Sequence, residues 1–94
     1  MPHFKVAHIR EQGVDLIIIP VDDMFRLKSS TDQNGVRDEF QLRANAAELA
    51  GTVVLVWEAG GNLMGFLAPN SFHPYFRSLN LPFVWQNVNR ELSW

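Results

Sequence analysis

The chain has 94 residues, 47% of them apolar, with eight basic and ten acidic residues that give a formal net charge of −2, and no cysteine. That length suits one domain over residues 1–94, and the apolar share excludes global disorder. The missing cysteines exclude disulfide frameworks, thiol catalysis and cysteine-bound zinc or iron–sulfur centres, and the singly spread charges leave no basic face for nucleic acid or an anionic membrane.

Met1-Pro2-His3-Phe4-Lys5 lacks the charged and then apolar pattern of a secretory signal, and no apolar run approaches the ~20 residues that span a bilayer. A soluble, cytoplasmic protein is the expectation. Phe4 to Arg10 alternates in both registers and predicts a half-exposed or edge strand. Glu11-Gln12-Gly13 reads as a turn, and Val14 to Val21 as the partner strand of a hairpin, closed by Pro20, which has no N–H for the ladder.

The segment from Asp22 to Ser29 is a connection in which Met24, Phe25 and Leu27 are expected to pack down. Ser30-Thr31-Asp32-Gln33 fits a capping box, with Ser30 as N-cap, opening a long helix that ends before Gly51. Thr52 to Glu58, the turn Ala59-Gly60-Gly61-Asn62 and Leu63 to Ala68 form a second hairpin, ended by Pro69. Asn70 or Ser71 can cap a short helix through His73 to Leu79. Asn80 and Pro82 suit a further helix start, with Val84, Val88 and Leu92 at i, i+4 and i+8 on one face. The fold class is therefore α+β, in the order ββα-ββαα: two β-hairpins in a four-stranded antiparallel sheet, packed by one long helix and C-terminal helices.

Leu16-Ile17-Ile18-Ile19 and Val53-Val54-Leu55-Val56 do not alternate. Successive strand side chains point to opposite faces, so both faces of the sheet holding these runs should be dry. The long helix also carries two apolar stripes, Val36, Phe40, Ala44 and Ala47 on one side and Leu42, Ala46, Leu49 and Ala50 on the other, with Glu39 and Arg43 paired between them. Arg37, Asp38, Gln41, Asn45 and Glu48 form its solvated arc. So much apolar surface on a short chain points to a second copy as cover, in a homodimer or higher homo-oligomer.

The sequence has no phosphate loop, G-x-G-x-x-G, H-E-x-x-H or G-x-S-x-G motif, and Gly60, Gly61 and Gly65 read as turn chemistry. His3, His8 and His73 are too scattered for a metal site, and no cofactor is implied. His8 is expected in solvent, and Trp57, at a strand end, partly exposed; the other aromatics fill core or interface, and Trp94 has no covering element in its own chain. One polar constellation stands out. Asp22, Asp23 and Arg26 follow the second strand, and Asn70, Ser71 and His73 follow the fourth. With the hairpins in matching orientation these loops would meet at one end of the sheet as a ligand site, where a carboxylate could form an acid–base pair with His73. The same residues also serve as ordinary turn and cap residues. The leading expectation is a non-catalytic, self-associating interaction or assembly domain. The alternative is a small-molecule-binding protein or minor enzyme using Asp22, Asp23, Arg26 and His73.

Overall fold

The structure, a computed structural model, describes residues 3–11, 13–59 and 64–93, without the side chains of His3, Asp23, Asn70 and Ser93. The turn at Gly60, Gly61 and Asn62, and Trp94, fall outside the described residues. The fold is α+β. Strands β1 (His3–Glu11), β2 (Val14–Pro20), β3 (Thr52–Glu58), β4 (Met64–Leu67) and β5 (Arg90–Ser93) form one mixed sheet in the order β4-β3-β2-β1-β5. Helix α1 (Ser30–Ala46) lies between β2 and β3, and the short helices α2 (His73–Arg77) and α3 (Leu81–Gln86) lie between β4 and β5.

Both hairpins are present. Gly13 supplies the positive φ of the first turn, and β1 and β2 pair antiparallel from Ala7↔Ile18 to Glu11↔Val14. The two hairpins join through β2 and β3, which run parallel from Leu16↔Thr52 to Pro20↔Val56. The four-stranded antiparallel expectation is thereby corrected to a mixed, five-stranded sheet. Parallel neighbours need a long crossover, which the 3-10 turn Asp23–Leu27 and α1 provide.

Pro20 sits on the central strand, and the ladder shows why it is tolerated. Val21 N–H donates to Val56 O at 2.8 Å, so the backbones of Ile17, Ile19 and Val21 face β3, and those of Leu16, Ile18 and Pro20 face β1. The β1–β2 ladder stops at Ala7↔Ile18, and the next hydrogen-bonded pair would have needed the N–H that Pro20 lacks.

The two apolar layers are both supplied by this chain. On one face Ile17, Ile19, Val53 and Leu55 pack with Phe40 and Ala44 of α1, together with Val6, Phe25, Trp57 and Leu92. On the other face Leu16, Ile18, Val54 and Val56 pack with Phe76 of α2, Val84 of α3 and Ala7. Ile17, Ile18, Val54 and Leu55 are 0% exposed in the single chain. The dry strands therefore do not require a second copy, because the helices divide between the faces.

Of its first stripe α1 buries Phe40 and Ala44 and half-buries Val36, while Ala47 is exposed just past the helix; Phe40 meets Phe4 edge-on at 4.7 Å. Of the second stripe only Leu49 packs partly against this layer: Leu42 is 65% exposed, and Ala46 and Ala50 are also exposed. Gln41 is not merely solvated, since its Oε1 accepts from Val53 N–H at 2.9 Å and its Nε2 donates to Gly51 O at 3.1 Å, fixing the entry to β3. Ser29, not Ser30, is the N-cap, accepting from Asp32 N–H, and Gln33 turns back to donate to Phe25 O. Glu39 and Arg43 form the expected pair at 3.0 Å. In the preceding connection only Phe25 packs down; Met24 and Leu27 are 60% and 62% exposed. Trp57, expected to be partly exposed, is only 9% exposed, packed against Phe25 and over Gly65, where an added Cβ would overlap the indole. His8 is half-buried, its Nε2 donating to Ala50 O at 2.8 Å.

The C-terminal helix expected to carry Val84, Val88 and Leu92 stops at Gln86. Asn89 then lies beside β1: its N–H donates to Val6 O, its Oδ1 accepts from His8 N–H and its Nδ2 donates to His8 O. These bonds start a fifth strand, in which Leu92 pairs with Phe4. Val84 and Leu92 consequently lie on opposite faces of the sheet.

Helix α1 ends in a Schellman arrangement, with Leu49 N–H donating to Ala44 O, Glu48 N–H to Asn45 O, and Glu48 in the left-handed region at φ 62°. Gly51 follows at φ 132°, where a Cβ would lie 2.6 Å from Asp15 O. Two substitutions should thus move stability in opposite directions in denaturant unfolding. Glu48→Gly gains about 0.5–1 kcal/mol by relieving a conformation that non-glycine residues avoid. Gly51→Ala loses roughly 2–4 kcal/mol, because it combines backbone strain with a clash against backbone.

Candidate functional site

The topology separates the polar residues that the sequence brought under suspicion. Strand β2 runs parallel to β3 and β4 runs antiparallel to it, so β2 and β4 point in opposite directions. The loops that follow them therefore leave in opposite directions along the sheet. They also belong to opposite layers: Phe25, in the loop after β2, packs with the α1 side, whereas His73 lies against Phe66 on the α2–α3 side.

Each group has a local task. Asp22 accepts from Met24 N–H at 2.8 Å and caps the 3-10 turn. Arg26 is exposed in the last turn of that element, and the side chain of Asp23 lies outside the described residues. His73 Nε2 donates to Ala68 O at 3.0 Å, and its ring meets Phe66 at a 5.1 Å centroid separation. Ser71 is exposed, and the side chain of Asn70 is outside the described residues. A cavity of about 500 Å³ runs beside α1 between Phe4, Lys28 and Val36, and another of about 320 Å³ lies at Pro20, Val21, Glu58 and Trp85. Neither is lined by Asp22, Arg26 or His73. Among the described residues, Asp22 and Arg26 thus lie in a different layer from His73.

The edges of the sheet are the more informative feature. A strand edge presents backbone N–H and C=O groups that can pair with another chain, and natural sheets protect them with charge, proline or brevity. The β5 edge carries Arg90 and Glu91, and Glu91 pairs with Lys5 of β1 at 3.0 Å. The β4 edge, Met64-Gly65-Phe66-Leu67, has no charge, and no Asp, Glu, Lys or Arg occurs anywhere from Ala59 to Phe76.

The direction of the β4 backbone groups follows from the ladder. The backbone of Val56 faces β2, so that of Leu55 and Trp57 faces β4, and their partners Leu67 and Gly65 turn inward to meet them. The N–H and C=O groups of Met64 and Phe66 turn outward, on the last strand of the sheet. The side chain of Phe66 is nevertheless held firmly, since it packs with Phe76 at 5.6 Å as well as with His73. Sequence reasoning placed Met64 and Phe66 in a hairpin strand without marking them as an edge; the long uncharged stretch around them is the signal that could have done so.

No family model, curated protein or solved structure matched this chain in comparison with known proteins.

The separation of Asp22 from His73 has a thermodynamic signature. Asp22→Ala should lower stability by about 1 kcal/mol through loss of the cap. In the Asp22→Ala/His73→Ala double variant the two losses should add to within roughly 0.5 kcal/mol, as they do for distant groups, and urea unfolding of the four proteins reads this directly.

Proposed function

We propose that this chain is a small self-associating interaction domain that pairs with a second copy of itself along β4. The observation that supports this reading is the uncharged β4 edge, whose Met64 and Phe66 backbone groups face away from β3. Antiparallel pairing about a two-fold axis at Gly65 sets Met64 of each copy opposite Phe66 of the other. All four outward N–H and C=O groups of each copy are then used, and Ala68 O remains with His73. Gly65 falls at the closely spaced position on the axis, where the missing side chain lets the two backbones approach.

Such a dimer continues the five-stranded sheet of one copy into that of the next. Main-chain hydrogen bonds provide the register, and the apolar side chains of β4 provide the contact on either face. A four-residue edge buries less than a standard stable interface, so the association is weak and depends on concentration.

Sedimentation over a concentration series tests the reading. The wild-type chain should move from the 10.7 kDa monomer toward twice that mass as concentration rises into the hundreds of micromolar. Met64→Lys, which adds the charge that natural edges use as protection, should remain monomeric with its fold intact by circular dichroism. A wild type that stays monomeric throughout, or a Met64→Lys variant that associates as the wild type does, would overturn it.

A further inference from the structure

A second feature lies away from β4, at the end of the sheet where β1 turns into β2. A cavity of about 150 Å³ opens there between Glu11, Val14, Leu16, Ser71, Phe72 and Tyr75. The phenol oxygen of Tyr75 is buried, and no hydrogen-bond partner for it occurs among the described residues. Leaving a buried polar atom unpaired is unfavourable by an amount comparable to a lost hydrogen bond, and native proteins rarely do so without a reason. Burial first, and the Glu11 carboxylate second, hold the Tyr75 phenol above its ordinary pKa, so it stays neutral at physiological pH. That effect also places the Glu11 charge within electrostatic reach of the phenol.

Glu11 is half-buried, and among the described residues no cation pairs with it; the ion pairs there are Lys5–Glu91, Arg37–Asp38 and Glu39–Arg43. The cavity therefore combines an uncompensated carboxylate, an unsatisfied phenol oxygen and a serine hydroxyl. Its other walls are apolar, from Leu16, Val14 and the aromatic Phe72. Its volume equals that of about five liquid waters and falls below the ~300 Å³ at which pockets begin to hold drug-sized ligands, so it suits a small group.

We propose that this cavity binds a primary alkylammonium ion. An ammonium carries three N–H donors and no acceptor, and the cavity offers three oxygen-bearing side chains, one of them negative. Its alkyl stem can lie along Leu16 and Val14, and the rings of Phe72 and Tyr75 favour a cation at their faces. A guanidinium is planar, with five donors in a fixed fork, and matches this set less well. Free amines and the terminal amino groups of other chains share this chemistry.

Titration of the full chain with n-butylammonium chloride, followed by amide NMR, tests the site. Sodium chloride at equal ionic strength, n-butanol and guanidinium chloride serve as controls. Shifts should saturate and cluster at Glu11, Val14, Ser71, Phe72 and Tyr75 with butylammonium alone. Glu11→Gln should weaken binding at least tenfold. Tyr75→Phe should weaken it several-fold while leaving thermal stability unchanged or raised, since it deletes an oxygen that the free fold does not satisfy. A lysine-containing peptide that reproduces the same shifts would identify a protein-borne amine as the ligand, and its failure beside a positive butylammonium titration would assign a free one; both support the site. An absence of saturable shifts at tens of millimolar would show that water alone fills the cavity and would overturn the proposal. Equal shifts with butanol, tighter binding of guanidinium, or a marked loss of stability in Tyr75→Phe would each do the same. Met64→Lys, altered only at the β4 edge, should bind butylammonium as the wild type does, which keeps the test separate from self-association.

Discussion

The parallel pairing of β2 with β3 is the constraint on which the rest of this structure depends. It sets two continuous apolar runs side by side, and since each strand turns alternate side chains to opposite faces, it creates two dry layers at once. Each buried Ile or Leu contributes about 1.5–3 kcal/mol, so neither face can be left in water. A parallel connection must travel back along the sheet, and the segment that does so, α1, necessarily lands on one face. The chain after β4 then has to serve the other, and α2 and α3 do so through Phe76 and Val84. Pro20 fits the same logic, because its missing N–H faces the side where the β1 ladder has already ended.

How much of this could be read beforehand depends on which kind of signal was involved. The hairpins and the long helix were legible because they are local: Gly13 in its turn, strand runs of the right length, and helix-forming residues from Val36 onward. Strand direction was not. The apolar runs Leu16–Ile19 and Val53–Val56 look the same whichever way their neighbours point, and a helix between two hairpins is compatible with either direction. The absence of alternation is itself a mark of buried parallel strands, and it fits helices on both faces as readily as it fits a second copy. The candidate site depends on strand direction as well: with β4 antiparallel to β2, the loops bearing Asp22 and His73 run in opposite directions and into opposite layers. Leu92 failed for another reason. Its spacing of eight from Val84 suits a helix face, yet the Asn89 side chain captures both backbone groups of His8, and that tertiary contact outranks periodicity.

Once both faces are sealed by the chain itself, attention passes from faces to edges. Large exposed apolar side chains remain, but Met24, Leu27, Leu42 and Trp85 are distributed over the 3-10 turn, α1 and α3. Scattered residues of this kind are ordinary on a protein surface. The two edge strands differ sharply in charge. The outer strand β5 is laced to β1 by Lys5 and Glu91, whereas β4 lies inside the longest uncharged stretch of the sequence. The same stretch supplies the aromatic residues that pack α2 on the sheet, so the chemistry that completes the core is continuous with the edge it leaves open.

Two residues in this small fold break local rules, and comparing them shows which break carries information. Glu48 occupies a left-handed conformation that glycine would fill more readily, but the position is exposed and the Schellman bonds around it explain the strain fully. Tyr75 is different. Among the described residues every fully buried one is apolar, and nothing there repays the desolvation of the phenol oxygen. A phenylalanine would fill the same space without that penalty, and Glu11 beside it adds a carboxylate with no cation paired to it among the described residues. Where local choices and global packing otherwise agree, such a polar pair is the kind of exception that marks a site, and it is the one on which the proposed amine site rests.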